Sequence, residues 1–211
     1  MRLLIFGLSL IFFINGNALS QSRVTLPNSF SVPILEELKP FFLPSEGQIE
    51  DLLKGHVISE SKVESLSNKQ QKLMLFTAGV HPRNCTRAMR KLSLYENYNQ
   101  FMSFIKASKY DDSTQRVSFV IDHALLPYQM ILRFKIPRIT KEGHYPFTFE
   151  DGMLKDLKGT IGVKEVGKFC LLSLKADWQG PETQIPSMVL GTFAQTIGKI
   201  GLEHLIRVSL F

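Results

Sequence analysis

The sequence predicts an α+β fold in which a bent antiparallel sheet wraps around one long C-terminal helix, with two short helices after the first strand. Three observations carry this. A run of segments between 104 and 178 alternates apolar and polar residues with period two, the signature of half-buried strands. The stretch 81–103 switches to helical spacing. The longest helical pattern, from Ser187 to about Leu205, comes last.

The elements follow in chain order. Residues 1–20 open with Met1-Arg2, continue as an apolar run from Leu3 to Ile14 and end in "NGNALSQ". This is the pattern of an export signal cleaved near Ser20/Gln21, and the run is short for a permanent span. An uncleaved anchor is the other reading. The expected location is periplasmic or secreted. Residues 21–54 form an N-terminal extension. Its first part, 21–33, carries Pro27, Pro33 and several Ser and Asn, and reads as a loose arm. Ser45 and Gln48 then make an S-x-x-Q capping box, which predicts a short helix over 46–54 ending at Gly55.

The domain proper spans 55–211. "HVISESKVES" and "QKLMLFTAGV" flank "LSNKQ" as a hairpin. Pro82 suits a helix's first turn, after which Cys85, Met89 and Leu92 share a face. "LYENYNQFMSFIKASKY" places Tyr95, Tyr98, Phe101, Phe104 and Tyr110 in a short helix near 95–103 and a strand near 104–111. Further strands place Val117, Phe119 and Ile121 on one side, then Tyr128, Met130, Leu132, Phe134 and Ile136, then Tyr145, Phe147 and Phe149, then Cys170, Leu172, Leu174 and Trp178. In the last helix Leu190, Phe193, Ile197 and Ile200 form an apolar stripe. Gly191, Gly198 and Gly201 weaken that helix by roughly 1 kcal/mol each relative to Ala, which close approach to a sheet or a ligand would justify.

In order and spacing, this chain resembles the START-like (SRPBCC) helix-grip superfamily, closest to its coenzyme-Q-binding and polyketide-cyclase-like branch. "AGVHPRNCTRAMRKLSLYENYNQFMSFIKASKY" resembles the family's first strand end, helix start and aromatic segment, with Tyr95, Tyr98, Phe101 and Met102 on the aromatic and apolar positions. "GMLKDLKGTIGV" resembles a later strand, with Gly159 at its glycine, and the helix after Pro186 falls where the family's long helix falls. The likeness covers roughly residues 55–208. Ser103 stands where the family usually has proline, and residues 21–54 have no counterpart in the minimal fold. The resemblance implies a pocket for hydrophobic molecules such as lipids, sterols or quinones. It implies no universal catalytic residue, although some members are enzymes.

The residues themselves bound the chemistry. The net charge of +6 is scattered without a block of like charges, which argues against nucleic acid as a partner. No nucleophile elbow occurs, and "GTIGVKEVG" lacks dinucleotide-loop spacing. The five His and two Cys show no zinc spacing, and no cofactor or metal is expected. Cys85 and Cys170 are either a disulfide or two buried thiols. Candidate ligand-binding residues are Tyr98, Phe101, Met130, Leu132, Phe134, Phe147, Phe149, Trp178, Phe193 and Ile197. The leading expectation is a carrier or sequestering protein for a hydrophobic small molecule or lipid. An enzyme of the cyclase, dehydratase or hydrolase type would need inward polar groups, for which Asp122, His123, Tyr128 and His144 are the candidates. The third reading is a solid-core interaction module.

Overall fold

A computed structural model describes residues 25–123, 129–183 and 185–210. The expected signal sequence and Tyr128 lie outside these residues. Eight antiparallel strands form one sheet in the order β1-β2-β8-β7-β6-β5-β4-β3. The strands are β1 (Ile58–Leu66), β2 (Gln70–His81), β3 (Ile105–Asp111), β4 (Arg116–Ile121), β5 (Met130–Lys135), β6 (Gly143–Phe149), β7 (Lys158–Val166) and β8 (Phe169–Pro181). The helices are α1 (Ser31–Leu38), α2 (Glu46–Leu53), α3 (Cys85–Leu92), α4 (Tyr98–Phe101) and α5 (Ser187–Val208), and a 3-10 turn, Tyr95–Asn97, leads into α4.

This is the expected α+β architecture, with a long terminal helix lying on an open antiparallel sheet. The two short helices α3 and α4 follow the second strand of the predicted hairpin. That hairpin turns through Asn68 and Lys69, both with positive φ. The start of α3 differs from the sequence reading. Pro82 stays outside the helix, and Asn84 is the N-cap, its side chain accepting from Arg87 N–H at 3.1 Å. An Asn side chain satisfies a free amide of the first turn, which Pro82 cannot do.

The N-terminal extension also differs. The end of the stretch read as a loose arm, residues 31–33, is instead the start of α1, with Pro33 in its first turn, where a missing N–H costs nothing. Ile34 and Leu38 of α1 are fully buried. They join Ile49, Leu52 and Leu53 of α2 in a cluster on the convex face of the sheet, against Phe76, Ala78 and Val80 of β2 and Phe169 and Leu171 of β8. Leu26 N–H donates to the Leu53 carbonyl (2.6 Å), and Phe42 stacks on Phe76 at 4.3 Å. The capping box of α2 forms as expected: Gln48 N–H donates to Ser45 Oγ at 3.3 Å, and Ser45 N–H to Gln48 Oε1 at 2.8 Å.

On the other face, α5 lies over β1 and β2. The contact is polar near its N-terminal half. Ser61 Oγ donates to the Gly191 carbonyl (2.7 Å) and Ser59 Oγ to the Gln195 carbonyl (3.1 Å), while Gln195 Nε2 donates to the Ser59 carbonyl (2.9 Å). A Cβ at Gly198 would sit 2.6 Å from Thr77 Oγ1, so this glycine allows the close approach. Gly201 faces no atom within 4 Å, and close approach does not explain it. Cys85 of α3 and Cys170 of β8 form a disulfide (Sγ–Sγ 2.04 Å) that ties the helical corner to the sheet.

Candidate functional site

Strand alternation builds the concave face. Odd positions of β2, β4, β7 and even positions of β5 and β8 project toward α5, and the ladder aligns them: Phe119 opposite Leu132, Ile121 opposite Met130, Phe134 opposite Phe149, Phe147 opposite Gly159 and Leu73 opposite Trp178. The rings then meet. Tyr98 stacks on Phe119 at 5.5 Å, Phe119 meets Phe134 edge-on at 5.4 Å, and Phe134 stacks on Phe149 at 5.2 Å. Gly159 gives Phe147 room to lie flat on β7, because a Cβ there would occupy the ring's position.

All ten predicted residues fall in or against this one apolar cluster, in two groups. Tyr98, Met130, Phe147, Trp178 and Phe193 are buried. Tyr98 O–H donates to the Leu92 carbonyl (2.6 Å), and Trp178 Nε1–H donates to the Lys155 carbonyl (2.9 Å). Their polar atoms are thus satisfied within the wall, and burial pushes the Tyr98 phenol well above its ordinary pKa. Phe101, Leu132, Phe134, Phe149 and Ile197 are only half-buried although packed against the cluster. Ile161 of β7, Leu174 of β8 and Leu75 of β2 share that condition. These inward apolar side chains keep part of their surface accessible on the concave side of the sheet. Sequence reasoning does not single out Ile161, because glycines on both sides hide the period-two pattern of β7.

Polar groups near this accessible apolar surface are few. His123, half-buried at the end of β4, stands 6.3 Å from the Phe104 ring and 6.4 Å from the Phe193 ring. Asp122 is exposed. His144 belongs to the opposite face, where its ring lies 5.1 Å from Phe41 and its Nε2 3.8 Å from Glu37. Tyr95 O–H donates to the Pro137 carbonyl (3.1 Å), and Arg138 lies over the Tyr110 ring at 4.4 Å while pairing with Asp112 (3.0 Å) and Glu96 (3.2 Å). That group fastens the 3-10 turn to the β3–β4 end. Among the described residues no cluster of His, Cys, Asp and Glu is arranged to hold a metal ion, and no helix is long and apolar enough to cross a membrane.

One buried polar group stands apart. His81, at the inner end of β2, is fully buried. Its Nδ1 lies 3.1 Å from Arg83 N and 3.3 Å from the Arg83 carbonyl, and its Nε2 has no hydrogen-bond partner among the described residues. Burial holds its pKa below the ordinary imidazole value, and the Arg83 charge acts in the same direction.

No protein-family model and no curated protein matches the chain. Solved structures do. The Zhui aromatase/cyclase from Streptomyces sp. R1128 superposes with a TM-score of 0.54 at 8% identity, over 65% of this chain and 93% of that one. XoxI from Bacillus cereus gives 0.52 at 14% identity, over 65% and 95%. A START superfamily protein from Mycobacterium smegmatis gives 0.47 at 14% identity, over 65% and 93%, and the fold assignment does not rest on it. At these identities the likeness is one of fold, and with the strand order and the long terminal helix it establishes that this chain has the helix-grip fold that the Zhui aromatase/cyclase and XoxI share.

Proposed function

We propose that the protein is exported and holds a hydrophobic small molecule or lipid in a cleft on the concave side, as a carrier or sequestering protein. The observation that carries the reading is the inward apolar surface left accessible at Leu132, Phe134, Phe149, Ile161 and Leu174. Pockets for small molecules are mostly apolar and concave, and each Å² of apolar ligand surface removed from water contributes about 25 cal/mol. The scarcity of polar groups there favours a ligand recognised by shape and burial. Export is supported by the N-terminal apolar run and by the Cys85–Cys170 bridge, since such bonds persist in oxidising compartments.

Native mass spectrometry and solvent extraction of the purified protein test the reading. A bound apolar molecule, or saturable uptake of a fluorescent fatty acid that Phe134→Asp abolishes, is the expected result. Protein that carries nothing and takes up no such probe defeats it.

A further inference from the structure

The two edges of the sheet are finished differently. Along β3 lie the 3-10 turn and α4, where Ser108 Oγ donates to the Glu96 carbonyl (2.8 Å) and Asn99 N–H donates to Ser108 Oγ (3.1 Å). On the outer side of β1, among the described residues, no strand or turn lies along the edge, although Gln195 Nε2 reaches the Ser59 carbonyl at one end (2.9 Å). Among the described residues, the backbone of Ile58–Leu66 is hydrogen-bonded in the sheet to β2 alone. The stretch Glu60–Leu66 of this edge, beyond the Gln195 contact, is a template for another strand.

The side chains of this edge match a second copy of themselves. Antiparallel pairing about a twofold axis through Val63 sets Lys62 opposite Glu64 of the second copy and Glu64 opposite its Lys62. It also sets Ser61 against Ser65 in both directions. Within one chain Lys62 Nζ already lies 2.5 Å from Glu64 Oε1, so the same two charges serve either partner. Opposite charges directly across a ladder are favourable and like charges are not.

α5 completes the fit. It lies over β1 and β2 with Met188 (84% exposed) and Val189 (40% exposed) at this edge, where Met188 itself, with Ser61, Val63, Gly191, Thr192 and Gln195, lines an open depression of about 370 Å³. The same twofold brings the two copies of α5 side by side, roughly 10 Å apart, a normal helix-packing distance. Met188 of each copy then lies at the seam between them. We propose that β1 and the first turns of α5 are the interface of an isologous dimer with one continuous sheet.

Sedimentation analysis at high micromolar concentration tests this, with circular dichroism confirming that each variant is folded. The wild type is expected to be a dimer. Lys62→Glu, which sets Glu against Glu64 twice, is expected to weaken it at least about tenfold in Kd. Lys62→Glu combined with Glu64→Lys restores the opposite pairing and is expected to restore the dimer. Both native cysteines are taken up by the disulfide, so Val63→Cys, on the axis, is expected to cross-link to a covalent dimer on mild oxidation. A monomeric wild type overturns the proposal. So does a dimer that Lys62→Glu leaves intact and Val63→Cys does not cross-link.

Discussion

The convex and concave faces of one sheet are built to different ends. On the convex face, α1 and α2 lay aliphatic side chains on β2 and β8, and Ile34, Leu38 and Leu52 lose all contact with water. On the concave face, the helix lies over β1 and β2, while the aromatic strands β4 to β6 keep part of their inward surface accessible. A sheet that is sealed on one side can leave the other partly open, because the sealed side supplies the burial that stability needs. The N-terminal extension stands outside the minimal fold, and this contrast explains its presence in physical terms. It closes the convex face.

That contrast can be broken at several points. Leu52→Ala should have the largest effect. It empties a fully buried site in the convex cluster, and we expect a loss of about 3 kcal/mol, read from denaturant unfolding. Next comes Ser45→Ala, which removes the cap that orders α2 over the sheet, at an expected cost of about 1 kcal/mol by the same measurement. Leu132→Ala, on the accessible concave side, should cost well under that in stability yet reduce uptake of an apolar probe. An equal loss of stability at Leu52 and Leu132 would show that both faces are packed core.

His81 sharpens the comparison from the concave side, where it is a fully buried polar side chain. Its folded-state pKa lies below the unfolded value, so protonation favours the unfolded chain. Stability should be full above the unfolded imidazole pKa and should fall as pH drops through it toward the lower folded value. Thermal melts between pH 8 and pH 5 should show this decline, and His81→Leu should flatten it. A wild type and variant with parallel pH profiles would remove His81 as the cause.

Much of this is legible from periodicity. The alternation over 116–121 and 130–136, the S-x-x-Q box and the terminal helix all reflect local rules: side chains alternate across a strand, and a helix end needs capping. The helix Ser31–Leu38 is not legible, because its stability comes from burying Ile34 and Leu38 on a surface made partly by residues well over a hundred positions later. The prolines and serines around it signal a loop, and tertiary packing overrides them. The candidate lining is legible as a set of inward faces. Which members keep accessible surface depends on how far α5 reaches across the sheet, and no residue pattern encodes that.

The position of β2 also governs the order of assembly. It sits between β1, its hairpin partner, and β8, with Gln70 paired to Pro181 and His81 to Cys170. The hairpin needs only a tight turn and closes early. Its second edge waits until the last strand has been made, and the docking surface for α1 and α2 is finished only then. The β2–β8 ladder thus joins strands about a hundred residues apart, the kind of long-range pairing that slows folding.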